Sequence, residues 1–311
     1  MKHRLVSFVI PLYNERPSLK ELVAAIGKSS VTREWAIEYV FIDDGSTDGS
    51  FEELKMLKKA SKVPMKLIRF RKNSGKSMAL TEGFQGVSGD IVVTLDADLQ
   101  DDPFEVHKLI DKLDEGYDLV VGWRNNRQDH QNKLRLSHIF NGVVARLAHV
   151  PLHDMNCGMK VMRRTVAEEI DVYGELHRFI PVLAAAQGFK VTEVPIIHHP
   201  RKYGVSKFGG ERILRAPFDL TTTLFLTLFR TRPLQIFGPI GIGLIGVGII
   251  FLLYLSVLHF IGQTIGDRPL LLLSILLVLS GVQLFSTGLV GELVTKMNIR
   301  KEKRPVEEVI G

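Results

Sequence analysis

The sequence predicts an α/β domain with a mainly parallel, Rossmann-like sheet, followed by amphipathic interfacial helices and two transmembrane helices. Short apolar, β-branched runs alternate with helix-like stretches in the N-terminal part, as they do in βαβ units. Two later stretches, 233–266 and 269–291, contain no Asp, Glu, Lys or Arg. Each exceeds the roughly 20 apolar residues that are needed to cross a bilayer.

The alternating pattern can be assigned element by element. The predicted strands cover residues 5–10, 37–42, 65–70, 91–95 and 119–121, and the predicted helices cover 18–28, 49–60, 77–87 and 104–113. Residues 134–150 and 213–228 have helical spacing with a basic face. The first of these fits a core helix and an interfacial helix equally well, whereas the second runs into the first long apolar stretch, which favours the membrane interface.

These patterns divide the chain into four predicted parts. They are a cytoplasmic domain at 1–208, a juxtamembrane amphipathic helix at 209–232, a transmembrane pair at 233–297 and a basic cytoplasmic tail at 298–311. The spans themselves are expected at about 235–261 and about 270–294. The N-terminus is interpreted as a strand and not as a signal peptide, because its apolar run is short and no small-residue cleavage site follows.

Flanking charges predict the orientation of the two spans. Arg230 and Arg232 precede the first span, and Lys296 with further basic residues follows the second. The charged residues of the connecting loop are Asp267 and Arg268. Basic flanks face the cytoplasm, so both ends of the pair are expected at the cytoplasmic side of the inner membrane.

The chain carries a net positive charge, and we interpret this charge as a feature for contact with the lipid bilayer and not with nucleic acid. The formal net charge is +6, and much of the excess lies beside the spans, where anionic headgroups attract it. Gly238, Gly241 and Gly248 share one face of the first span and predict close helix packing, which suggests a homo-oligomer. The single cysteine, Cys157, excludes an internal disulfide, and we interpret it as a packed residue and not as a nucleophile.

Acidic clusters follow three of the predicted strands. Asp96 and Asp98 flank Ala97 directly after the strand at 91–95, and Gln100 comes next. Two carboxylates this close repel each other unless a cation lies beside them, and a hard divalent cation prefers oxygen ligands. A lone D-x-D triplet is a common surface accident, but its place after a strand favours a magnesium or manganese site that also takes substrate phosphates.

The other two clusters follow the first and second strands. They comprise Pro11, Tyr13, Asn14 and Glu15 in one case and Asp43 and Asp44 in the other. The second cluster could be a simple turn, since Asp, Gly and Ser favour turns. The functional interpretation is a carboxylate that binds the base or ribose of a nucleotide, with Tyr13 stacked on the base. The ends of parallel strands meet at one edge, so all three clusters should converge on one cleft.

Together these residues resemble the family-2 glycosyltransferases of the GT-A fold. The motifs are residues 9–15 (VIPLYNE), 42–49 (IDDGSTDG) and 95–103 (LDADLQDDP). More narrowly, the chain resembles the polyprenyl-phosphate glycosyltransferases, a group that includes dolichol-phosphate mannose synthase. The two-span tail is similar to that of the bacterial bactoprenol glucosyltransferases.

The resemblance implies a role for each candidate residue. The nucleotide would be held by Pro11, Tyr13, Asn14, Glu15, Asp43, Asp44, Asp96 and Ala97, and Mg2+ or Mn2+ by Asp96, Asp98 and Gln100. The acceptor phosphate and the diphosphate would be held by Arg124, Arg135, Arg201, Ser206 and Lys207. The last three match an R-x-x-G-x-S-K pattern, and Asp154 would act near the sugar as a catalytic residue together with Asp98 and Arg124. Guanidinium groups bind phosphate bidentately, although solvated surface charge is the alternative for these arginines.

The activity implied is inverting transfer of a hexose from a nucleotide-sugar onto a polyprenyl phosphate such as undecaprenyl phosphate, which makes a lipid-linked donor for cell-envelope glycosylation. Glucose from UDP-glucose is the first expectation, GDP-mannose is the main alternative, and a modified pentose is a third. The acceptor phosphate is largely ionised at neutral pH, so a strong general base is not required. The competing interpretations are a processive synthase, a transporter and a non-catalytic nucleotide-sugar binder. His198 and His199 suggest a metal site, but neighbours on an extended segment point to opposite sides.

Overall fold

The computed structural model describes residues 4–31, 35–124, 152–170, 172–174, 176–203, 234–266, 268–297 and 306–310. These residues fall into two units, one built on a β-sheet and one built on two long helices. The amphipathic stretches predicted at 134–150 and 213–228, and the juxtamembrane helix predicted at 209–232, lie outside the described residues.

The predicted strands and helices of the N-terminal part are all present, with ends that differ by a few residues. The described strands are β1 (Leu5–Leu12), β2 (Ala36–Asp43), β3 (Met65–Phe70), β4 (Ile91–Thr94), β5 (Leu119–Arg124), β6 (Lys160–Arg163), β7 (Val191–Ile196) and β8 (Val306–Ile310). The described α-helices are α1 (Arg16–Val31), α2 (Ser50–Ala60), α3 (Lys76–Gln85), α4 (Val106–Asp114), α5 (Arg164–Glu169), α6 (Ile180–Ala186), α7 (Leu234–Phe260) and α8 (Pro269–Met297). Short 3₁₀ turns cover Pro103–Glu105 and Leu176–Phe179.

The strands form one sheet in the order β7-β5-β6-β4-β1-β2-β3-β8. Strand β1 is parallel to β2 and β4, as the alternating pattern predicts, and β5 is parallel to β7, a strand that was not predicted. Strand β6 is antiparallel to both β4 and β5, which makes β5 run in the same direction as β4. The carboxyl ends of β1, β2, β4 and β5 therefore share an edge with the first residue of β6, and the predicted site residues gather there.

Both faces of the central strands are covered. Phe8, Val9 and Ile10 of β1 are fully buried, which is why this strand is a continuous apolar run and not an alternating one. Helix α3 lies so close to the sheet that a Cβ on Gly83 would be 2.4 Å from Val9 Cγ1. Glycine at this position allows α3 to pack closely against β1 and β2.

The C-terminal tail contains a strand that the sequence analysis did not predict. Strand β8 pairs antiparallel with the edge strand β3, with Arg69 opposite Glu308. Its five residues, VEEVI, are too few for hydrophobic periodicity to identify a strand. Pairing with an existing sheet edge supplies the stability that so short a segment lacks alone.

The helical unit consists of α7 and α8, and both helices are long and apolar enough to cross a membrane. They pack through glycines: a Cβ on Gly241 would be 2.7 Å from Gly281 O, and a Cβ on Gly248 would be 2.7 Å from Val278 Cγ2. A Cβ on Gly238 would meet Leu234 of the same helix at 3.5 Å. The close packing predicted for these glycines is present, but its partner is α8 of the same chain, so it no longer argues for a homo-oligomer.

Candidate active site

The loops after β1 and β2 are tied together by hydrogen bonds. Asn14 N donates to Ser46 Oγ at 2.8 Å, and Thr47 N donates to Asn14 Oδ1 at 2.8 Å. Asn14 has a φ of 54°, a left-handed conformation that asparagine tolerates better than most residues. Asn14 therefore fixes the loop that carries Tyr13 and Glu15, and Pro11 lies within β1 just before it.

Asp43 is fully buried at the end of β2. Its Oδ1 accepts a hydrogen bond from Ser46 N at 2.9 Å. Among the described residues, its Oδ2 has no hydrogen-bond partner, and it lies 3.8 Å from Arg69 Nε. Burial raises the pKa of Asp43, although Ser46 and Arg69 oppose this. One oxygen of the Asp43 carboxylate therefore lacks a hydrogen-bond donor among the described residues, as expected of a side chain that hydrogen-bonds a ligand.

Asp44 is engaged differently from Asp43. Its two oxygens accept hydrogen bonds from Ser74 N at 2.6 Å and from Gly75 N at 2.9 Å. These bonds hold the turn that begins α3, and so they place Lys76 at the site. Asp44 therefore stabilises the backbone of the turn beside the site, and its contact with a nucleotide stays a prediction.

Asp96 and Asp98 lie together after β4, each paired with a cation. Lys76 Nζ donates to Asp96 Oδ1, and Arg201 Nη2 donates to Asp98 Oδ2 at 2.6 Å. Arg201 also reaches Glu15, with Nη1 3.3 Å from Oε1. The sequence analysis predicted Arg201 as a site residue but missed Lys76.

The two acids differ in their ionisation. Burial opposes the charge of Asp96, but the ammonium group of Lys76 outweighs it and lowers the pKa of Asp96. Burial and the neighbouring charge of Asp96 raise the pKa of Asp98. The turn that holds both is strained, because Leu99 has a φ of 60°, and such strain clusters at functional sites. A Cβ on Gly158 would be 2.7 Å from Asp96 Oδ2, so only glycine leaves room for this carboxylate.

This donor set fits a hard divalent cation. Two carboxylates on one turn offer oxygen ligands, and Gln100, whose backbone N bonds Asp98 Oδ1 at 3.2 Å, brings an amide to the same turn. Within the part of the chain that the structure describes, no cluster of three or more His, Cys, Asp or Glu side chains could hold a metal ion. A cation on Asp96 and Asp98 would therefore take further ligands from water and substrate phosphates, as Mg2+ commonly does.

Arg124 and Asp154, predicted separately, form a bidentate pair. Nε of Arg124 lies 2.6 Å from Asp154 Oδ2, and Nη2 lies 3.0 Å from Oδ1. Both side chains are largely buried, with 11% and 6% of their surface exposed. Burial opposes the charge of Arg124, but the hydrogen bonds that it donates to Asp154 prevail and raise the pKa of the guanidinium group.

The residues that precede Arg124 and Asp154 in the chain also contact each other. Trp123 and His153 stack with ring centroids 4.4 Å apart. Glu193 of β7 accepts hydrogen bonds from His153 N at 2.7 Å and from Asp154 N at 3.4 Å. Glu193 thus fixes the turn that presents Asp154, a role that the sequence analysis missed.

The remaining polar candidates are structural. Asp101 accepts from Met159 N at 3.2 Å and pairs with His198 at 2.9 Å, while His199 lies 3.6 Å from Asp102. The two histidines thus contact different aspartates and do not converge on one metal. Burial raises the pKa of the Cys157 thiol, which suits a packed residue. Three predicted residues, Arg135, Ser206 and Lys207, lie outside the described residues.

Lys160, the first residue of β6, is a buried cation beside the site. It is 4% exposed, and its Nζ donates to Cys157 O. Burial lowers its pKa from 10.5 to about 8. Because the folded-state pKa is the lower one, the folded protein releases this proton first as the pH rises. Below pH 8 the buried positive charge of Lys160 lowers the free energy of unfolding. This penalty decreases between about pH 8 and pH 10.5, where lysine is neutral in both the folded and the unfolded state.

Replacing Lys160 with Met is therefore expected to raise the free energy of unfolding at pH 7, by at most about 3 kcal/mol. The gain should shrink as the pH approaches 10.5, where lysine is neutral in both states. Denaturant unfolding of both proteins across this range measures the difference. Lys59→Met, at an exposed position of α2, is the control and should change little. A Lys160→Met protein less stable than the parent at pH 7 would contradict the assignment.

Comparisons with known proteins identify the family of this chain. The model of the family "Glycosyl transferase family 2" matches residues 7–171, and that of the "GtrB C-terminal hairpin" matches residues 232–297. A dodecaprenyl-phosphate galacturonate synthase of Rhizobium johnstonii is 32% identical, over 96% of this chain and 90% of its own length. An undecaprenyl-phosphate 4-deoxy-4-formamido-L-arabinose transferase of Pseudomonas fluorescens is 36% identical, over 99% of this chain and 91% of its own.

Solved structures are similar in fold. A glucosyl-3-phosphoglycerate synthase of Mycobacterium tuberculosis, solved with Mn2+, UDP-glucose and phosphoglyceric acid, has a TM-score of 0.56 at 18% identity, over 72% of this chain and 79% of its own. This likeness confirms the predicted GT-A fold for the sheet-bearing unit. The family match covers more than half of the chain, and the relatives align over nearly all of it. The chain is therefore a glycosyltransferase and belongs to glycosyl transferase family 2.

Proposed function

We propose that this enzyme transfers one sugar from a nucleoside diphosphate sugar to the phosphate of a membrane polyprenyl phosphate. The observation that carries the proposal is the charge arrangement at the carboxyl edge of the sheet. Asp96 and Asp98 are balanced there by Lys76 and Arg201. Such a site accepts a cation and the diphosphate that accompanies it, and both are needed when a nucleoside diphosphate leaves.

The donor side of the site is formed by the loops after β1, β2 and β4. Asp43, with its unsatisfied Oδ2, and Tyr13 are assigned to the ribose and base. Asp96, Asp98 and Gln100 would hold Mg2+ or Mn2+, which stabilises negative charge on the departing diphosphate. Lys76 is assigned to the same diphosphate, because its ammonium group already lies at Asp96.

The acceptor side is assigned to Arg124 and Arg201. Arg124 uses Nε and Nη2 for Asp154, which leaves Nη1 to donate to a phosphate oxygen. The acceptor phosphate is already ionised at neutral pH, so Asp154 orients Arg124 and the sugar and is not needed as a strong base. Arg135, Ser206 and Lys207 are proposed for the same anion on the sequence pattern alone.

The membrane supplies the acceptor. Helices α7 and α8 are assigned as a hairpin that crosses the bilayer twice. Strand β8, which follows α8, pairs with β3 of the domain that precedes α7. That pairing supports the assignment of both ends of the hairpin to one side of the membrane, and the basic flanks favour the cytoplasmic side. The catalytic unit would then meet a cytosolic donor and a lipid acceptor.

The identity of the sugar is the open part of the proposal. The sequence predicts glucose from UDP-glucose first, with GDP-mannose as the main alternative and a modified pentose as a third. The two similar curated proteins are named for transfer of galacturonate and of 4-deoxy-4-formamido-L-arabinose. We therefore add uronic acids to the proposed donor class and place modified pentoses beside the hexoses.

The test is a transfer assay with the full chain in lipid vesicles. Nucleotide-activated glucose, galacturonate, 4-deoxy-4-formamido-L-arabinose and mannose are each offered with undecaprenyl phosphate, with and without EDTA. One donor should yield a lipid-linked sugar, and EDTA should abolish the product. Donor binding without product from any of the four would instead support a non-catalytic nucleotide-sugar binder.

A further inference from the structure

The start of helix α3 is tied to a residue that lies 100 positions later in the chain. Ser77, the second residue of α3, is 1% exposed, and His177 in the 3₁₀ turn Leu176–Phe179 is half-buried. His177 N donates to Ser77 Oγ at 3.1 Å, and Nδ1 of the same histidine lies 3.0 Å from this hydroxyl. These two contacts hold the imidazole against the first turn of the helix.

The imidazole of His177 is neutral at pH 7. Burial lowers its pKa, and the positive charges of Lys76, Arg178 and Lys160 lower it further, whereas Asp96 opposes them. A serine hydroxyl has one donor site and two acceptor sites, so it can accept from His177 N and donate to an unprotonated Nδ1. His177 therefore supplies a hydrogen-bond partner at the start of α3 without adding another positive charge beside Lys76.

The turn that carries His177 is held in place by packing. Leu176 and Phe179, at the two ends of the turn, are 5% and 2% exposed. Just before this turn, Val172 O accepts a hydrogen bond from Thr81 Oγ1 of α3 at 2.6 Å. This part of the chain therefore supports α3 at two successive helical turns, and His177 contacts the residue next to Lys76.

The backbone on either side of Lys76 is fixed by a side chain. Asp44 accepts hydrogen bonds from the two N–H groups that precede Lys76 in the chain. His177 holds the residue that follows it. Between these two supports, Lys76 Nζ donates to Asp96 Oδ1. A long lysine side chain loses much rotamer freedom when it is held at one point, so a fixed backbone reduces what remains to be ordered.

We propose that His177 is a positioning residue for the transfer reaction, which acts through Ser77 to keep the ammonium group of Lys76 where the diphosphate departs. The inference rests on the proposed role of Lys76 at that diphosphate. A cation that is already in place stabilises developing negative charge without reorganisation. Loss of the His177 contact removes one of the two supports, so Lys76 would sample positions that are less suited to a phosphate.

Calorimetry on the full chain in detergent micelles, with UDP or GDP and Mn2+ as the probes, tests this role. Lys76→Met should weaken nucleotide binding by about tenfold or more, since a hydrogen bond to a charged group contributes about that much. His177→Leu should also weaken it by about tenfold, but by less than about twofold when Lys76 is already replaced by Met, because residues that act through each other are not additive. His177→Asn, which keeps a polar group near the position of Nδ1, should restore most of the affinity.

Thr81→Val is the matched control, because it removes the other hydrogen bond between α3 and this part of the chain, one helical turn farther from Lys76. It should leave nucleotide binding unchanged. Equal losses from His177→Leu with and without Lys76, or a loss in Thr81→Val as large as that in His177→Leu, would overturn the proposal.

The transfer assay separates this inference from the proposed function. Non-additive binding in a protein that transfers none of the four sugars would refute the proposed activity alone. Transfer by a protein in which the two losses are additive would refute the positioning role alone. A parent protein that binds neither nucleotide would refute both, because both depend on a bound diphosphate.

Discussion

Breaking the Arg124–Asp154 pair from one side is expected to destabilise the protein strongly, whereas replacing both partners should restore stability but not activity. In Asp154→Leu the guanidinium group of Arg124 stays buried without its carboxylate, at a cost of about 3–5 kcal/mol in the free energy of unfolding. In Arg124→Met/Asp154→Leu no charge is left to desolvate, and the stability should return to within about 1 kcal/mol of the parent or exceed it.

Measuring the transfer rate of the double variant distinguishes a catalytic role of the Arg124–Asp154 pair from a purely structural one. If Arg124 binds the acceptor phosphate, the stable double variant should still lose at least about 100-fold in transfer rate. Unfolding by denaturant and transfer in vesicles are measured on the same preparations. The exposed Arg164–Glu168 pair on α5 is the control, and Glu168→Gln should leave both readouts nearly unchanged. A double variant that is both stable and active would remove the pair from the catalytic machinery.

The sequence predicted the edge of the sheet at which these residues meet, because that inference needs only local patterns. Asp43, Asp96 and Asp98 follow apolar strands directly, so the alternation of strands and helices places them together. Arg124 and Asp154 were also identified, but their pairing was not. It depends on the antiparallel insertion of β6 beside β5, and the four residues of β6 give too short a pattern to recognise.

The residues that the sequence analysis missed share a feature: their partners are distant in the chain. Lys76, the first residue of α3, meets Asp96, which lies 20 positions later after β4, and without that contact a lysine in a helix is taken for a surface charge. Glu193 supports Asp154 across the β5–β7 pairing.

The pairs with Lys76 and Arg201 suggest a second role for the acids that we propose as metal ligands, which is to hold two cations where the proposed diphosphate would lie. Arg201 bridges Glu15 and Asp98, so it links the donor loop of β1 to the loop of β4. A divalent cation held by Asp98 would free these guanidinium donors for a phosphate. The charge of Asp98 would then affect both the proposed metal site and the position of Arg201.

Asp98→Asn is accordingly expected to lower the transfer rate by at least about 100- to 1,000-fold, because it removes a metal ligand and releases Arg201. Manganese-dependent binding of the donor, measured by calorimetry, should be lost with it. The matched control is Asp102→Asn in the same loop, which lies 3.6 Å from His199 and outside the predicted metal ligands, and it should keep most of the activity. If Asp98→Asn bound manganese and donor as the parent does, the cation would have to be held elsewhere. The paired acids would then serve only to anchor Lys76 and Arg201, and the transfer mechanism would rest on those two cations alone.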